Sequence, residues 1–333
     1  MLKKIFALGA VMGLVTALAG TARAESVSLT LPVLSLTFSA DYIADSKGFW
    51  KDQGLDVEMQ AIPGIGGANA VLAGSVDFGQ TSGGAFLNAN ARGQKLYAIA
   101  NTIEKMPLEI VISKAFAQKA GITEKSSLHA RALALKGARM GIDSPNSIVH
   151  GFLKYVMLKN GLNPETDAVD SPMQPLAVLA AFKAGQIDGF AFSSPWPAVA
   201  RKDYGAVTVS SAMGNEYPEL QPFAYNLLFT RPDYCAAHAD TCRKMARGVE
   251  RATQFMHDHP DEALTILQQK LAQTEPALVA EGFKSTLAAT PRVPRVDVLS
   301  LQHAQDYMLF TSLIDANQKL PNFNGLYTND YLK

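Results

Sequence analysis

Short β-like segments and helical segments alternate along the chain, and the alternation starts twice. The first series begins with strands predicted at Val27–Val33 and Gly54–Gln60, separated by a helix predicted at Thr37–Trp50. The second series begins with a strand predicted at residues 139–142 and a helix at Ile148–Asn160. Strands that alternate with helices are typical of largely parallel sheets with helices on their faces. The pattern therefore predicts an α/β fold with two similar lobes joined by strands.

The composition fits a globular α/β chain and excludes several other classes. The chain has 333 residues, of which 48% are hydrophobic and 18% charged, so it is long and apolar enough to bury a large core. These fractions exclude an intrinsically disordered chain and a coiled coil. The 30 basic residues balance the 30 acidic ones, whereas a nucleic-acid-binding protein normally has a basic excess. We therefore expect no nucleic-acid partner.

The N-terminus has the pattern of a secretory signal. Lys3 and Lys4 precede the apolar run Ile5–Gly20, and the Thr-Ala-Arg-Ala that follows ends in a small-x-small cleavage site. The alternative is a membrane anchor, but the run is short for a span of roughly 20 residues. We expect cleavage after Ala24, so that 1–24 is a signal peptide and the mature protein enters the periplasm. Cleavage leaves 27 basic residues against 30 acidic ones.

The only two cysteines are Cys235 and Cys242. In an oxidising compartment, two cysteines this close together at the beginning of a helix favour a local disulfide bond. A zinc site would need His238 and a fourth ligand, and the sequence has no ordinary C-x₂₋₄-C spacing. We therefore predict a disulfide and no metal site.

Four predicted strand ends carry small hydroxyl, amide or glycine residues. Ligands of open α/β sheets bind at the carboxyl ends of strands and against helix N-termini, where free backbone N–H groups and hydroxyls suit an oxyanion. The same residue types are ordinary N-caps, so one such segment alone has either role. Four segments over two lobes favour a shared cleft. The segments are Leu34–Thr37, Thr81–Gly84, Ser144–Ser147 and Ser193–Trp196.

The candidate ligand-binding residues combine these strand ends with larger side chains that suit an organic body. The apolar candidates have core packing as their alternative role, and Trp196 either lines the cleft or sits behind it. No Lys or Arg occurs in the four segments, and their scarcity of acids disfavours a cationic ligand. The candidates are Leu36, Thr37, Phe38, Ser82, Gly83, Gly84, Met106, Ser144, Asn146, Ser147, Met173, Gln174, Ser194, Trp196 and Tyr225.

Catalytic motifs are absent from the sequence. There is no G-x-S-x-G elbow, no phosphate-binding Walker loop and no H-E-x-x-H. Asp77 and Asp188 occur in two similar phrases, L-A-G-S-V-D-F and F-K-A-G-Q-I-D-G-F. We predict that these acids form hydrogen bonds at turns and strand starts, not that they act in acid–base catalysis. We expect neither an enzyme nor a cofactor.

These two phrases belong to a longer series. Ala44–Glu58 contains A-x-x-x-G-F-W followed by G-L-x-V-E, and Ala70–Gly79 contains L-A-G-S-V-D-F-G. Leu135–Gly141 reads L-K-G-A-R-M-G, and Ala181–Gly189 reads A-F-K-A-G-Q-I-D-G. In this order, the series resembles the nitrate/sulfonate/taurine family, also called NMT1/THI5-like, of periplasmic substrate-binding proteins that serve ABC importers.

The resemblance implies a type II, Venus-flytrap binding fold, with lobe one at 25–110 and 227–333 and lobe two at 111–226. It implies a monomer that captures a small organic anion (a sulfonate, carboxylate or aromatic acid) between its lobes and docks on an ABC permease of the inner membrane. A neutral heterocycle ranks second as a ligand. Two other functions stay open. One is a ligand-sensing partner of a membrane receptor. The other is a pyrimidine-synthesising enzyme like yeast relatives, although the chain lacks their clustered cysteines and iron-linked histidine.

Overall fold

The computed structural model describes residues 24–62, 66–145 and 147–333. Most of the predicted signal peptide and the candidate ligand residue Asn146 lie outside the described residues, so both stay predictions. No helix of the described ranges is long and apolar enough to cross a bilayer.

The strands and helices of the described residues follow the predicted alternation, with shifted ends. The strands are β1 Glu25–Leu31, β2 Leu55–Ala61, β3 Phe78–Ser82, β4 Tyr97–Ile103, β5 Leu108–Ile112, β6 Ala138–Ile142, β7 Ala168–Pro172, β8 Gly189–Ser193, β9 Val207–Ser211 and β10 Asn226–Thr230. The helices are α1 Ser39–Ser46, α2 Gly66–Leu72, α3 Gly83–Ala91, α4 Lys114–Ala120, α5 Leu128–Leu133, α6 Ile148–Lys159, α7 Pro175–Lys183, α8 Trp196–Tyr204, α9 Pro232–Ala237, α10 Ala239–Asp258, α11 Pro260–Lys270, α12 Pro276–Ala289 and α13 Val298–Phe310. Four short 3₁₀ turns lie at Leu36–Phe38, Lys51–Gln53, Pro218–Leu220 and Ala316–Gln318.

Two five-stranded sheets form the framework, in the orders β2-β1-β3-β10-β4 and β7-β6-β8-β5-β9. In the first sheet, β1 pairs in parallel with β2 and β3, and β10 is antiparallel to both of its neighbours. In the second sheet, β6 pairs in parallel with β7 and β8, and β5 is the antiparallel strand. We call the part built on the first sheet lobe one and the other part lobe two. The predicted α/β fold with two mostly parallel sheets is confirmed.

The two lobes repeat one strand-pairing plan. Asp77 accepts hydrogen bonds from the backbone N–H and the hydroxyl of Ser28 in β1, at 2.8 and 2.7 Å. Asp188 accepts from the backbone N–H and the guanidinium of Arg139 in β6, each at 2.9 Å. In both lobes the acid lies 49 residues after the residue that donates to it. The prediction that Asp77 and Asp188 make hydrogen bonds at strand starts is confirmed.

Helix α10 packs closely on the ring of Trp50 in lobe one. The indole N–H of Trp50 donates a 3.1 Å hydrogen bond to the carbonyl oxygen of Met245. A Cβ at Gly248 would lie 2.0 Å from the indole ring, so glycine is required where the helix crosses it. The predicted disulfide is present, since Cys235 and Cys242 are bonded and join the consecutive helices α9 and α10.

Candidate functional site

A cavity of about 570 Å³ lies where the two lobes face each other. Its wall combines the chain after β1, one side of α3, the first residue of α6 and the crossing segment before β10. The carboxyl ends of the parallel strands β1 and β3 of lobe one therefore lie at this cavity, and so does the carboxyl end of β6 of lobe two. The described lining residues of this first cavity are Pro32, Val33, Thr37, Phe38, Ala68, Asn69, Thr81, Ser82, Ala85, Asn88, Ala89, Arg92, Gln94, Asp143, Ile148, Tyr225 and Asn226.

Two further cavities of about 340 Å³ each adjoin the first. The second cavity shares Val33 and Asp143 with the first and extends between the 3₁₀ turn after β1, the end of β8 and helix α12. The third cavity shares Ser82, Ala85 and Ile148 with the first and extends toward helix α13. Both contain residues of both lobes. Together the three cavities form a continuous cleft, which we call the interlobe cleft.

One face of α3 lines the first cavity, and it brings in a charged residue that the sequence analysis missed. Ala85, Asn88, Ala89 and Arg92 follow the i, i+3, i+4, i+7 spacing of a helix face. Arg92 is exposed at the end of this face, and no described residue forms an ion pair with its guanidinium. The sequence signal for Arg92 is its position seven residues after Ala85, which places both on one face of a helix.

Asp143 lies at the end of β6 and was also missed. It borders both the first and the second cavity. The predicted strand-end segment begins one residue later, at Ser144, so it does not include this acid. Burial raises the pKa of the Tyr225 hydroxyl, and the charge of Asp143 raises it further. The cleft therefore contains a source of negative potential next to an aromatic ring.

The serines at the strand ends cap helices. The side-chain oxygen of Ser82 accepts a 3.2 Å hydrogen bond from the backbone N–H of Ala85, and that of Ser147 accepts a 3.0 Å bond from His150. Ser147 also donates its hydroxyl proton to Asp143. Ser82 lines the first and third cavities and Ser147 lines the third, so capping and cleft lining occur in the same residues.

Ser194 differs from these capping serines. Its side-chain oxygen is buried, and no described residue is its hydrogen-bond partner. It lines the second cavity beside Trp196. A buried hydroxyl without a partner costs free energy, which a polar atom placed in the cavity would recover.

A buried polar network supports the floor of the first cavity. The side-chain amide nitrogen of Asn226 lies 3.2 Å from the carbonyl oxygen of Thr37 and 3.2 Å from the amide oxygen of Gln80. Gln80 in turn donates to both carboxyl oxygens of Asp41, at 3.0 and 2.9 Å. Burial raises the pKa of Asp41 to about 7, and the bond from Gln80 opposes only part of this shift. The network fixes the side chain of Asn226 where it borders the cleft.

The structure brings together part of the predicted set. Thr37, Phe38, Ser82 and Tyr225 line the first cavity; Leu36, Ser194 and Trp196 line the second; Gly84 and Ser147 line the third. The remaining described candidates border none of the three cavities. Met106 is fully buried in the core, Met173 packs against a core cluster in lobe two, and Gln174 precedes α7. Gly83 packs against the carbonyl group of Ala224, and Ser144 is exposed.

The described residues contain no group of three His, Cys, Asp or Glu side chains placed to hold a metal ion.

Comparison with known proteins gives one family match and several relatives. The model of the family described as NMT1/THI5 like matches residues 36–263. The bicarbonate transport ATP-binding protein CmpC of Synechocystis sp. is 26% identical over 245 residues, which cover 70% of this chain and 36% of that protein. The chain therefore matches little more than a third of the length of that relative.

Two solved structures share the fold. The alkanesulfonate-binding protein SsuA from Xanthomonas axonopodis pv. citri, bound to MOPS, has a TM-score of 0.65 at 18% identity, covering 88% of this chain and 95% of that one. The periplasmic nitrate-binding protein NrtA from Synechocystis PCC 6803 has a TM-score of 0.63 at 13% identity, covering 92% and 87%. At these identities the likeness shows the fold, which is that of two-lobed periplasmic binding proteins.

Proposed function

Because the chain belongs to the NMT1/THI5-like family, we propose that it is an extracytoplasmic solute-binding protein. It holds a small organic anion in the interlobe cleft and delivers it to an ABC importer. The observation that carries this proposal is the first cavity, which both lobes line at the carboxyl ends of their strands.

The size of the first cavity favours an organic ligand. Small-molecule sites usually have volumes of roughly 300–1,000 Å³, and about 570 Å³ lies within that range. A bare inorganic anion the size of one or two water molecules, each about 30 Å³, would leave most of this space to solvent. Val33, Phe38 and Ile148 supply apolar wall against which a hydrocarbon or aromatic body packs.

The polar groups of the first cavity suit an acidic head group. The N-terminus of α3 begins beside Ser82, and the N-terminus of α6 begins at Ile148, so two helix ends with partial positive charge face the cleft. Arg92 adds a full positive charge on the α3 side. Contacts from both lobes are complete only when the lobes are closed, so a ligand stabilises the closed state by its differential affinity.

The test is a thermal-shift and calorimetric screen of sulfonates and carboxylates against the protein and two tryptophan variants. A ligand at 100 times its dissociation constant stabilises a protein by roughly 2.7 kcal/mol. Ala85 is exposed and lines the first and third cavities, so Ala85→Trp fills the cleft without entering the core. Ala115 is also exposed on a helix, and it lines none of the three cavities. Ala85→Trp should abolish binding, and Ala115→Trp should preserve it. Equal binding by both variants would place the ligand elsewhere.

A further inference from the structure

We propose that the ligand carries a cationic nitrogen that pairs with Asp143, so that Asp143 selects zwitterions over simple anions. This inference rests on the proposed function and specifies its ligand class. The expectation that acid-poor strand ends disfavour a cationic ligand does not exclude such a molecule, because a zwitterion also carries an acidic group.

The position of Asp143 supports this role. It is half-buried, it directly follows β6, and it borders both the first and the second cavity. Its Oδ1 accepts hydrogen bonds from the backbone N–H of Ser144, at 2.7 Å, and from the hydroxyl of Ser147. Among described residues, none donates a hydrogen bond to Oδ2 and none forms an ion pair with the carboxylate. The carboxylate is thus oriented by its loop, with one oxygen left for a ligand.

The apolar residues around Asp143 make it unfavourable to remove water from its charged carboxylate. Val33 borders both cavities with it, and Ile148 and Val149 lie on the same wall. A ligand that fills the cleft removes water from the carboxylate, and a buried charge without a partner is strongly unfavourable. A purely anionic ligand adds repulsion in a region of reduced dielectric constant, whereas an ammonium group supplies both the opposite charge and N–H donors.

The charge pattern of the interlobe cleft matches a ligand with two charged ends. Arg92 and Asp143 are the only charged residues in the described lining of the three cavities, and both border the first cavity. Arg92 belongs to α3 of lobe one, and Asp143 follows β6 of lobe two. A zwitterion therefore satisfies one charge from each lobe, and closing the cleft brings both contacts together.

The test uses two pairs of compounds that differ by one amino group. The pairs are 3-aminopropane-1-sulfonate with propane-1-sulfonate, and 4-(aminomethyl)benzoate with 4-methylbenzoate. Calorimetry at neutral pH compares their dissociation constants on the wild-type mature chain, on Asp143→Asn and on Asp203→Asn. Asparagine at 143 keeps an Oδ1 that accepts the two loop hydrogen bonds and removes the charge. Asp203 is exposed at the end of α8 and lines none of the three cavities, so its variant is a matched control.

We expect the amine to tighten binding to the wild type at least about tenfold in one or both pairs, the size of a charge-assisted hydrogen bond. The ratio of the two dissociation constants within a pair should fall to less than about twofold in Asp143→Asn and stay unchanged in Asp203→Asn. If the two compounds of each pair bind the wild type equally well, the inference is overturned and the proposed function stands. This comparison needs only the wild-type protein. If Asp143→Asn still binds the amines more tightly by the same factor, Asp143 does not recognise the amino group. Failure of all four compounds to bind overturns the inference, whereas the proposed function is overturned only if the whole screen of sulfonates and carboxylates gives no ligand.

Discussion

The phenolic hydroxyl of Tyr307 in α13 donates a 2.6 Å hydrogen bond to the main-chain carbonyl oxygen of Ile148, the first residue of α6. Helix α13 packs on α3 of lobe one, whereas α6 belongs to lobe two. A Cβ at Gly151 would lie 2.7 Å from the Tyr307 hydroxyl, so α6 approaches closely only because it carries glycine there. The lobes are therefore linked by this contact in addition to the two chain crossings between the sheets, from β4 to β5 and from β9 to β10.

Removing this hydroxyl should weaken the contact between the lobes. Tyr307→Phe keeps the buried ring and removes one hydrogen bond, so we expect the free energy of unfolding to fall by about 1 kcal/mol. Tyr97→Phe is the control, because the Tyr97 hydroxyl has no hydrogen-bond partner among the described residues. Urea unfolding of the two variants measures the difference. Equal midpoints would show that the Tyr307 bond adds nothing to stability.

Gly248→Ala should destabilise lobe one strongly. The added Cβ would meet the Trp50 ring at 2.0 Å, and Trp50 is fully buried, so α10 or the ring must move. We expect a loss of about 3 kcal/mol, the upper part of the usual range for overpacking a core. Gly214→Ala has only ordinary contact, with one atom at 3.8 Å, and should change stability little. Thermal unfolding of both variants provides the comparison, and similar transition temperatures would contradict the prediction.

Ionisation of Asp41 should make the protein less stable as the pH rises. Burial raises the pKa of Asp41 to about 7 from an ordinary value of 3.8, so the folded state binds a proton that the unfolded state has released between these values. The stability contributed by the neutral acid is fully present below the unfolded pKa and is lost as the pH rises through the folded pKa.

Asp41→Asn cannot ionise, so it isolates this effect. Between about pH 5 and pH 7, we expect its unfolding free energy to rise relative to wild type by up to about 1.4 kcal/mol per pH unit. Denaturant unfolding at several pH values measures the difference. Asp203→Asn, at an exposed position, should show no such trend. A constant difference between Asp41→Asn and wild type would mean that Asp41 is ionised throughout this range.

Arg92→Gln should weaken the binding of an acidic ligand. Because Arg92 is exposed, its ion pair with a ligand is partly screened by solvent, and we expect a loss of about two- to fivefold, or up to about 1 kcal/mol. Lys95→Gln removes the same charge three residues away, at an exposed position that lines none of the three cavities. Calorimetry compares the two variants, using whichever of the two sulfonates binds the wild type more tightly. Equal losses in both variants would indicate a long-range effect of net charge, not a contact.

The sequence predicts the alternation of elements because each segment carries its own periodicity. The predicted strand Val27–Val33 extends two residues beyond the C-terminal end of β1. This strand ends at Leu31 because Pro32, which follows, lacks a backbone N–H. The helix predicted at Thr37–Trp50 is a 3₁₀ turn followed by α1, which ends at Ser46 before Gly48 adopts a positive φ of 68°. The antiparallel directions of β5 and β10 depend on where the chain crosses between lobes, and no local pattern records that crossing.

The candidate site shows the same limit. The strand ends were predictable because parallel strands end at one edge of a sheet. Arg92 was not found there because its place in the cleft depends on which face of α3 turns toward lobe two. Methionine is a residue type that suits the wall of a cleft for an organic ligand, but the packing of strands around Met106 buries it completely.

The repeated pairing plan has a consequence for the orientation of the ligand. The parallel pairs that β1 makes with β2 and β3 recur 111 positions later in lobe two, so that Leu29 with Phe78 corresponds to Met140 with Gly189. By this pseudo-twofold correspondence, Asp143 stands where lobe one has Pro32, and both residues border the first cavity. If the two lobes carried the same residue at this position, this part of the cleft would not distinguish the two ends of a ligand. A carboxylate opposite an imino acid breaks that equivalence, so under the proposal that the ligand is a zwitterion, Asp143 draws its cationic end toward lobe two.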